Sequence, residues 1–234
     1  MIASTAFSVI FLLVIVTKTS SMDLATAKKG LAKALYDAPH VDNQNSVPKI
    51  TMSIYYGSLS SDSADLFKNQ IRPILAKFQN FVNFDFVPFG NGDKKLFEGR
   101  WFFKCQNGPT ECMKNKWQAC SIHVLPSKLQ LLANYLVCYM SSAVGMHSGY
   151  QCTRNMGLYD DYYGKIKKCF MNRQFSDSLM VQYSNRTQTV LPPSAQIPSI
   201  VINGVYNETE QDDAKNNLGN VLCKYIHPKV VGLC

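Results

Sequence analysis

No cysteine precedes residue 105 of this 234-residue chain, and nowhere do two cysteines form a CxxC pair. The nearest neighbours, Cys105 and Cys112, are seven positions apart. That spacing excludes an ordinary dithiol motif. It also does not suit structural zinc, which favours cysteines two to four residues apart. No G-x-S-x-G elbow marks a serine nucleophile. The four histidines, His40, His123, His147 and His227, are scattered and read as ordinary surface or packed side chains. No metal and no cofactor is expected. The formal charge is +8, but the lysines are dispersed into short pairs such as Lys94-Lys95 and Lys167-Lys168. There is no basic stripe of the kind that binds nucleic acid. The charge suits solubility or weak attraction to polyanionic cell surfaces.

Long apolar runs are also missing. The longest, Phe7 to Val16, is too short for a bilayer, which needs about 20 residues. It is followed by Thr17-Lys18-Thr19-Ser20-Ser21, with Thr19 and Ser21 at the small-residue positions of a cleavage site. Residues 1–21 are expected to be a secretory signal peptide. Without those 21 residues the 234-residue chain would hold 213, with 23 lysines and arginines against 16 acids, +7. That length supports one sizeable core, and no membrane span is expected in it.

What is present sits in the second half. Eight cysteines, Cys105, Cys112, Cys120, Cys138, Cys152, Cys169, Cys223 and Cys234, favour a disulfide framework in an exported chain. They allow on the order of a hundred pairings, and sequence does not choose among them. Cys234, at the terminus, is the first candidate for a free thiol. Asn185-Arg186-Thr187 and Asn207-Glu208-Thr209 are glycosylation sequons.

Residues 22–48 read as a polar N-terminal extension with a helical stretch at most. Ile50 to Tyr56 reads as a strand, with Asp62 or Ser63 able to cap the helix that follows; Ser60 and Ser61, just before it, also read as cap residues. That helix has an apolar stripe of Phe67, Ile71, Ile74, Leu75 and Phe78. Pro73 should kink it. Phe81 to Pro88 alternates like a second strand, closed by Gly90-Asn91-Gly92. Strand, helix and strand in about 40 residues imply a right-handed βαβ unit. Helices are expected at Leu129 to Met140 and Tyr159 to Phe170. A strand over Ile197 to Ile202 ends in Asn203-Gly204, a hairpin signal, and Ala214 to Tyr225 is amphipathic. The expected class is α/β: a βαβ half and a ββα half, separated by a cysteine-rich α-helical insertion at about 100–175. Residues 49–234 would then form a single domain.

The stretch from Cys105 to Cys120 reads C-Q-x-G-x-x-E-C-x-x-N-x-x-x-x-C, carried by Gln106, Gly108, Glu111 and Asn115. It resembles the signature of the gamma-interferon-inducible lysosomal thiol reductase family, with Asn107 where histidine is usual. The resemblance covers roughly Ile50 to Cys234 and implies a thioredoxin-like fold, structural cysteines, and a cis-proline at Pro198 facing the active site. It also implies a CxxC or CxxS site at the start of the first helix, where helix amides lower a thiol pKa. Here those two positions hold Ser60 and Ser63. Ser194 and Ser199 stand where histidine and tryptophan are frequent. A serine hydroxyl forms no mixed disulfide. The pattern is similar to atypical insect members that lack the active-site cysteines, a mosquito salivary one among them.

The expectation is therefore a secreted, disulfide-stabilised glycoprotein that is not an enzyme. It would act by binding an extracellular protein or a cell-surface glycan, with a lysosomal location as the alternative. A thiol-disulfide oxidoreductase using a cysteine outside the usual position is the competing reading. A structural or carrier protein is a third.

Overall fold

Seven consecutive residues, Ile50–Tyr56 (β1), form the central strand, and all but Thr51 are buried. A strand covered on both faces needs a nearly unbroken apolar run rather than alternation. β1 pairs in parallel with Val82–Pro88 (β2), Ile50 opposite Val82 and Tyr56 opposite Pro88. On its other side β1 pairs antiparallel with Ser199–Ile202 (β5), Tyr55 opposite Ser199. Val205–Tyr206 (β6) completes the sheet order β2-β1-β5-β6. The β5–β6 turn is Asn203-Gly204, both at positive φ (51° and 78°), as its Asn-Gly pair requires. The computed structural model describes residues 49–142 and 146–234. The expected signal peptide and N-terminal extension lie outside those residues.

Between β1 and β2 the helix runs as Ser61–Leu66 (α1), a π-helical turn Phe67–Ile71, and Arg72–Phe78 (α2). The expected kink at Pro73 takes this form: proline lacks the N–H and its ring crowds the carbonyl four residues back, and the backbone widens just before it. Phe67, Ile71, Leu75 and Phe78 are all at most 2% exposed and pack on the sheet. Burying each contributes roughly 1.5–3 kcal/mol.

The segment between β2 and β5 begins with a hairpin that sequence did not suggest, Asp93–Phe97 (β3) and Arg100–Lys104 (β4), a separate two-stranded sheet. Its turn places Glu98 and Gly99 at φ 47° and 72°. Helices follow: Pro109–Val124 (α3), Leu129–Met140 (α4), Met146–Asn155 (α5), a π turn Tyr159–Tyr163 running into Gly164–Met171 (α6), and Arg173–Val190 (α7). α4 and α6 fall where the sequence places helices; α3 and α7 were not anticipated. Their shared core is aromatic. Trp117 Nε1 donates to Tyr135 Oη at 2.6 Å, and the indole stacks on Tyr139 and tilts against Phe170. After β6, Gln211–Asn216 (α8) and Leu218–Tyr225 (α9) replace the single amphipathic helix expected there. The βαβ unit, helical insertion and ββα half make a thioredoxin-like fold.

All eight cysteines are bridged. Cys120–Cys169 ties α3 to α6, Cys138–Cys152 ties α4 to α5, and Cys223–Cys234 ties α9 to the C-terminus. Cys105–Cys112 closes the loop that opens α3. Cys234 is therefore not free.

Candidate functional site

The loop Gly57–Ser60 leaves the carboxyl end of β1 and turns into α1. Ser60 is the helix cap, rather than Asp62 or Ser63: its Oγ accepts from the Ser63 N–H at 3.2 Å. Ser60 is extended (φ −74°, ψ 123°), as a cap residue is. The Ser63 hydroxyl, fully buried, lies 3.4 Å from the Gly57 N–H and accepts from it. The two serines thus meet through the cap itself.

What holds the loop comes from the far side of the sequence. Asn115 Oδ1 accepts from the Ser58 N–H at 2.9 Å, and its Nδ2 donates to the Phe89 carbonyl at 3.4 Å. Glu111 Oε1 accepts from the Leu59 N–H at 3.3 Å, and the Glu111 carbonyl accepts from Ser58 Oγ at 3.3 Å. Glu111 also accepts from the Asn107 N–H (2.8 Å, to Oε2) and Nδ2 (3.0 Å, to Oε1), closing the start of α3 on itself. The Glu111 and Asn115 side chains are at most 2% exposed. A buried carboxylate is tolerable only when its oxygens are satisfied in this way. Gly57 is required by this approach: a Cβ there would stand 2.4 Å from Glu111 Oε1.

The other loops at this end are tied in turn. A Cβ on Gly90 would stand 3.5 Å from Gly57 Cα, which places the turn after β2 beside the first loop. Asn91 Nδ2 donates to the Ala195 carbonyl at 2.8 Å, linking that turn to the approach to β5. There the Ile197–Pro198 bond is cis, and Pro198 is buried. Tyr55 pairs with Ser199, so Pro198 enters the sheet at the level where β1 ends and the Ser60 loop begins. Ser199 Oγ, buried, donates to the Gln196 carbonyl at 2.6 Å, while Ser194 is exposed. A second cis bond, His227–Pro228, had no signal in the sequence.

The electrostatics nearby belong mostly to structure. Ser53 Oγ donates to Asp85 at 2.7 Å, and Arg186 of α7 pairs with the same carboxylate. Burial works against the Arg186 charge, and Asp85 more than offsets it, holding the guanidinium pKa above its ordinary value. Burial, then Asp85, pushes the Tyr183 hydroxyl up to about 12. Tyr56 is pushed well up by burial, and its Oη has no hydrogen-bond partner among the described residues. Lys114, lowered by burial, donates to the Met140 and Ser142 carbonyls at 3.3 and 2.9 Å and so caps α4.

The two sequon asparagines differ in exposure. Asn185 is exposed in mid-α7, but the Thr187 hydroxyl donates to the Tyr183 carbonyl. Asn207 is half-buried, its Oδ1 accepting from Thr209 N–H and Oγ1 at 3.2 and 2.9 Å. Among the described residues no group of three or more histidines, cysteines and acids could hold a metal ion, and no helix is long and apolar enough to cross a membrane. The sequence resemblance pointed to Glu111 and Asn115 as signature residues; that they reach back to Ser58 and Leu59 was not legible, because the contact spans 52 to 57 positions.

Comparison with known proteins accords with this geometry. Residues 51–156 match the family model described as gamma interferon inducible lysosomal thiol reductase (GILT). The chain is 30% identical over 176 residues to the gamma-interferon-inducible lysosomal thiol reductase of Carassius auratus, covering 74% of this chain and 67% of the relative. It is 27% identical over 202 residues to GILT-like protein 1 of Drosophila melanogaster, covering 81% and 80%. Against the thiol reductase-like protein of Anopheles gambiae the figures are 25% over 194 residues, 78% and 79%. Among solved structures, DsbA of Chlamydia trachomatis aligns at TM-score 0.48 and 10% identity over 76% of this chain and 87% of that one. BdbD of Bacillus subtilis aligns at 0.46 and 13% over 73% and 87%. One expectation has to be corrected. A protein that is not an enzyme was expected from Ser60 and Ser63, whereas the matched family model and the Carassius auratus relative are both described as thiol reductases.

Proposed function

The chain belongs to the gamma-interferon-inducible lysosomal thiol reductase family, and on that footing we propose that it is an exported, disulfide-stabilised glycoprotein that binds extended polypeptide segments of extracellular or cell-surface partners. The binding cleft lies where the Ser60 loop, the turn at Gly90 and the approach to Pro198 converge. One observation carries this reading: the Ser58–Leu59 backbone is fixed by side chains of the signature tract, although neither Ser60 nor Ser63 brings sulfur. A preorganised loop beside sheet backbone suits capture of an extended segment through main-chain hydrogen bonds. Four bridges and two sequons are the equipment of an exported chain. The insertion, expected at about 100–175, is taken as residues 93–190, and glycans are proposed at Asn207 and Asn185.

Fluorescence anisotropy with labelled, reduced and carboxymethylated insulin B chain tests the cleft. Saturable binding is expected, and a Ser60→Trp variant, which fills the loop mouth, should lose it. Absence of saturable binding, or equal binding by that variant, overturns the reading. Export and glycosylation are read from the mass of the protein recovered from medium, before and after enzymatic deglycosylation.

A further inference from the structure

We propose that the groove between the β3–β4 hairpin and the start of α7 binds a polyanionic glycan, a sugar chain bearing sulfates and uronic-acid carboxylates. This site lies apart from the Ser60 cleft and stands or falls without it.

The hairpin lies along α7, held at its base and open at its tip. Lys94 Nζ donates to Ser184 Oγ and Gln188 Oε1 of α7, at 2.9 Å each. Lys94 lies opposite Phe103 in the ladder and Leu96 opposite Trp101, so these four side chains share one face. Trp101 and Phe103 are half-buried there, with Lys116 Nζ of α3 5.5 Å from the Phe103 ring centroid. Toward the tip a groove of about 590 Å³ opens, lined by Arg100, Trp101, Arg173, Gln174, Asp177 and Ser178. That is the size of a small-molecule site. It is not closed at the turn, because a Cβ on Gly99 would meet no atom within 4 Å. A polymer can therefore enter or leave at that end.

Trp101 and Arg173 also line a second groove, of about 260 Å³, on the side of α3. Phe102, Met113 and Lys116 are in its wall, the first two exposed. The two grooves share a ridge, and one chain can pass along both.

The charge along this track is unbalanced. Asp177, buried, pairs with Lys116, and its Oδ2 lies 3.8 Å from Arg173 Nε. Arg100 is exposed and has no ion pair among the described residues. Glu98, at the turn, lines neither groove. Three cations thus face one carboxylate, and two positive charges lack a counterion within the protein. A guanidinium is permanently charged, and its planar fork matches a sulfate or carboxylate bidentately. Between the cations stands the Trp101 indole, whose apolar face suits the C–H face of a pyranose ring. Ser178 Oγ donates to the Phe175 carbonyl at 2.7 Å and keeps its lone pairs for a sugar hydroxyl. An acidic peptide would answer the charges alone. An aromatic ridge flanked by cations favours a charged ring with an apolar face.

The test is isothermal titration calorimetry of the full exported chain with a heparin hexasaccharide, at low and physiological salt. Saturable binding is expected, weakening as salt screens the charges. Arg100→Glu/Arg173→Glu should lower affinity at least ~tenfold, because like charges then face the ligand. Lys68→Glu/Arg72→Glu, exposed on the connection between β1 and β2, makes the same change in net charge away from the groove. It should leave affinity within about twofold. Trp101→Ala should weaken binding severalfold without altering its salt dependence. Should that variant fail to fold, the arginine pair and its control decide the matter. No binding by the wild type, equal loss in the Lys68/Arg72 variant, or equally tight binding of a polyglutamate peptide would each overturn the assignment. Ser60→Trp should bind the hexasaccharide as wild type does, and Arg100→Glu/Arg173→Glu should still bind carboxymethylated B chain. Loss of B-chain binding alone would remove the cleft reading and leave the groove standing.

Discussion

Two short tracts, Gly57–Ser63 and Cys105–Cys120, are far apart in sequence and joined in space, and they differ in what each retains. The second has both sulfurs of its bridge, its Glu111 and its Asn115, and every polar atom of those two side chains that faces the loop has a partner. The first has a well-formed cap and a buried hydroxyl but no sulfur. The difference teaches that the signature tract is not only a site of cross-linking. Its polar side chains build the loop on which a helix-start residue is displayed, whatever atom that residue carries.

The comparison breaks most readily at Asn115. Asn115→Leu leaves the Ser58 N–H and the Phe89 carbonyl buried without partners, at roughly 1–3 kcal/mol each. A loss of about 3 kcal/mol in urea denaturation is expected. A neutral result would mean that the tract does not hold the loop. Gly57→Ala comes next: the new Cβ meets Glu111 Oε1, and overpacking of this kind costs about 1–3 kcal/mol. In a Glu111→Ala background, itself destabilised by the lost hydrogen bonds, Gly57→Ala should add little further loss if the steric contact is the cause. Ser60→Ala removes only the cap to the Ser63 N–H and should cost about 1 kcal/mol.

The smallest effect, absent at neutral pH, comes from two phenols buried in the insertion. Burial holds Tyr135 in the insertion and Tyr183 of α7 up to about 12, against 10.0 for an unperturbed tyrosine. A raised folded pKa gives stability that is complete below the unfolded value and lost as pH climbs through the folded one. Stability should thus be flat to about pH 10 and fall between 10 and 12. Tyr135→Phe and Tyr183→Phe should each flatten part of that fall.

The sheet and its connecting helix were legible because their physics is apolar. β1 is buried at every position but Thr51, and Phe67, Ile71, Leu75 and Phe78 recur at helical spacing. α3 and α7 escaped for the opposite reason. Their buried faces are largely polar: Glu111, Lys114, Asn115, Gln118 and Ser121 on one, Ser176, Asp177, Ser184 and Thr187 on the other. A search for hydrophobic periodicity passes over such helices. Pro109 at the first turn and Glu111 behind it were the available start signals. The β3–β4 hairpin escaped because Glu98, rather than asparagine, stands before Gly99 at its turn, and because much of it is exposed. At the cleft, sequence supplied Ser60, Ser63 and Pro198 separately. Their convergence depends on β1–β5 register and on the Gly57–Gly90 and Asn91–Ala195 approaches, none of which leaves a local pattern.

If the Ser60 loop is a preorganised place to hold a partner's extended chain, a Ser60→Cys variant will report it. Ser63 cannot resolve a mixed disulfide, so a disulfide-bearing polypeptide that enters the cleft is trapped covalently. A Ser61→Cys variant, exposed one position on, is the control. With denatured insulin, the account predicts that the Ser60→Cys adduct, followed by mass spectrometry, forms at least ~tenfold faster than the control, as a helix-start thiolate should. Equal rates for the two, or no adduct at Ser60→Cys, would contradict it.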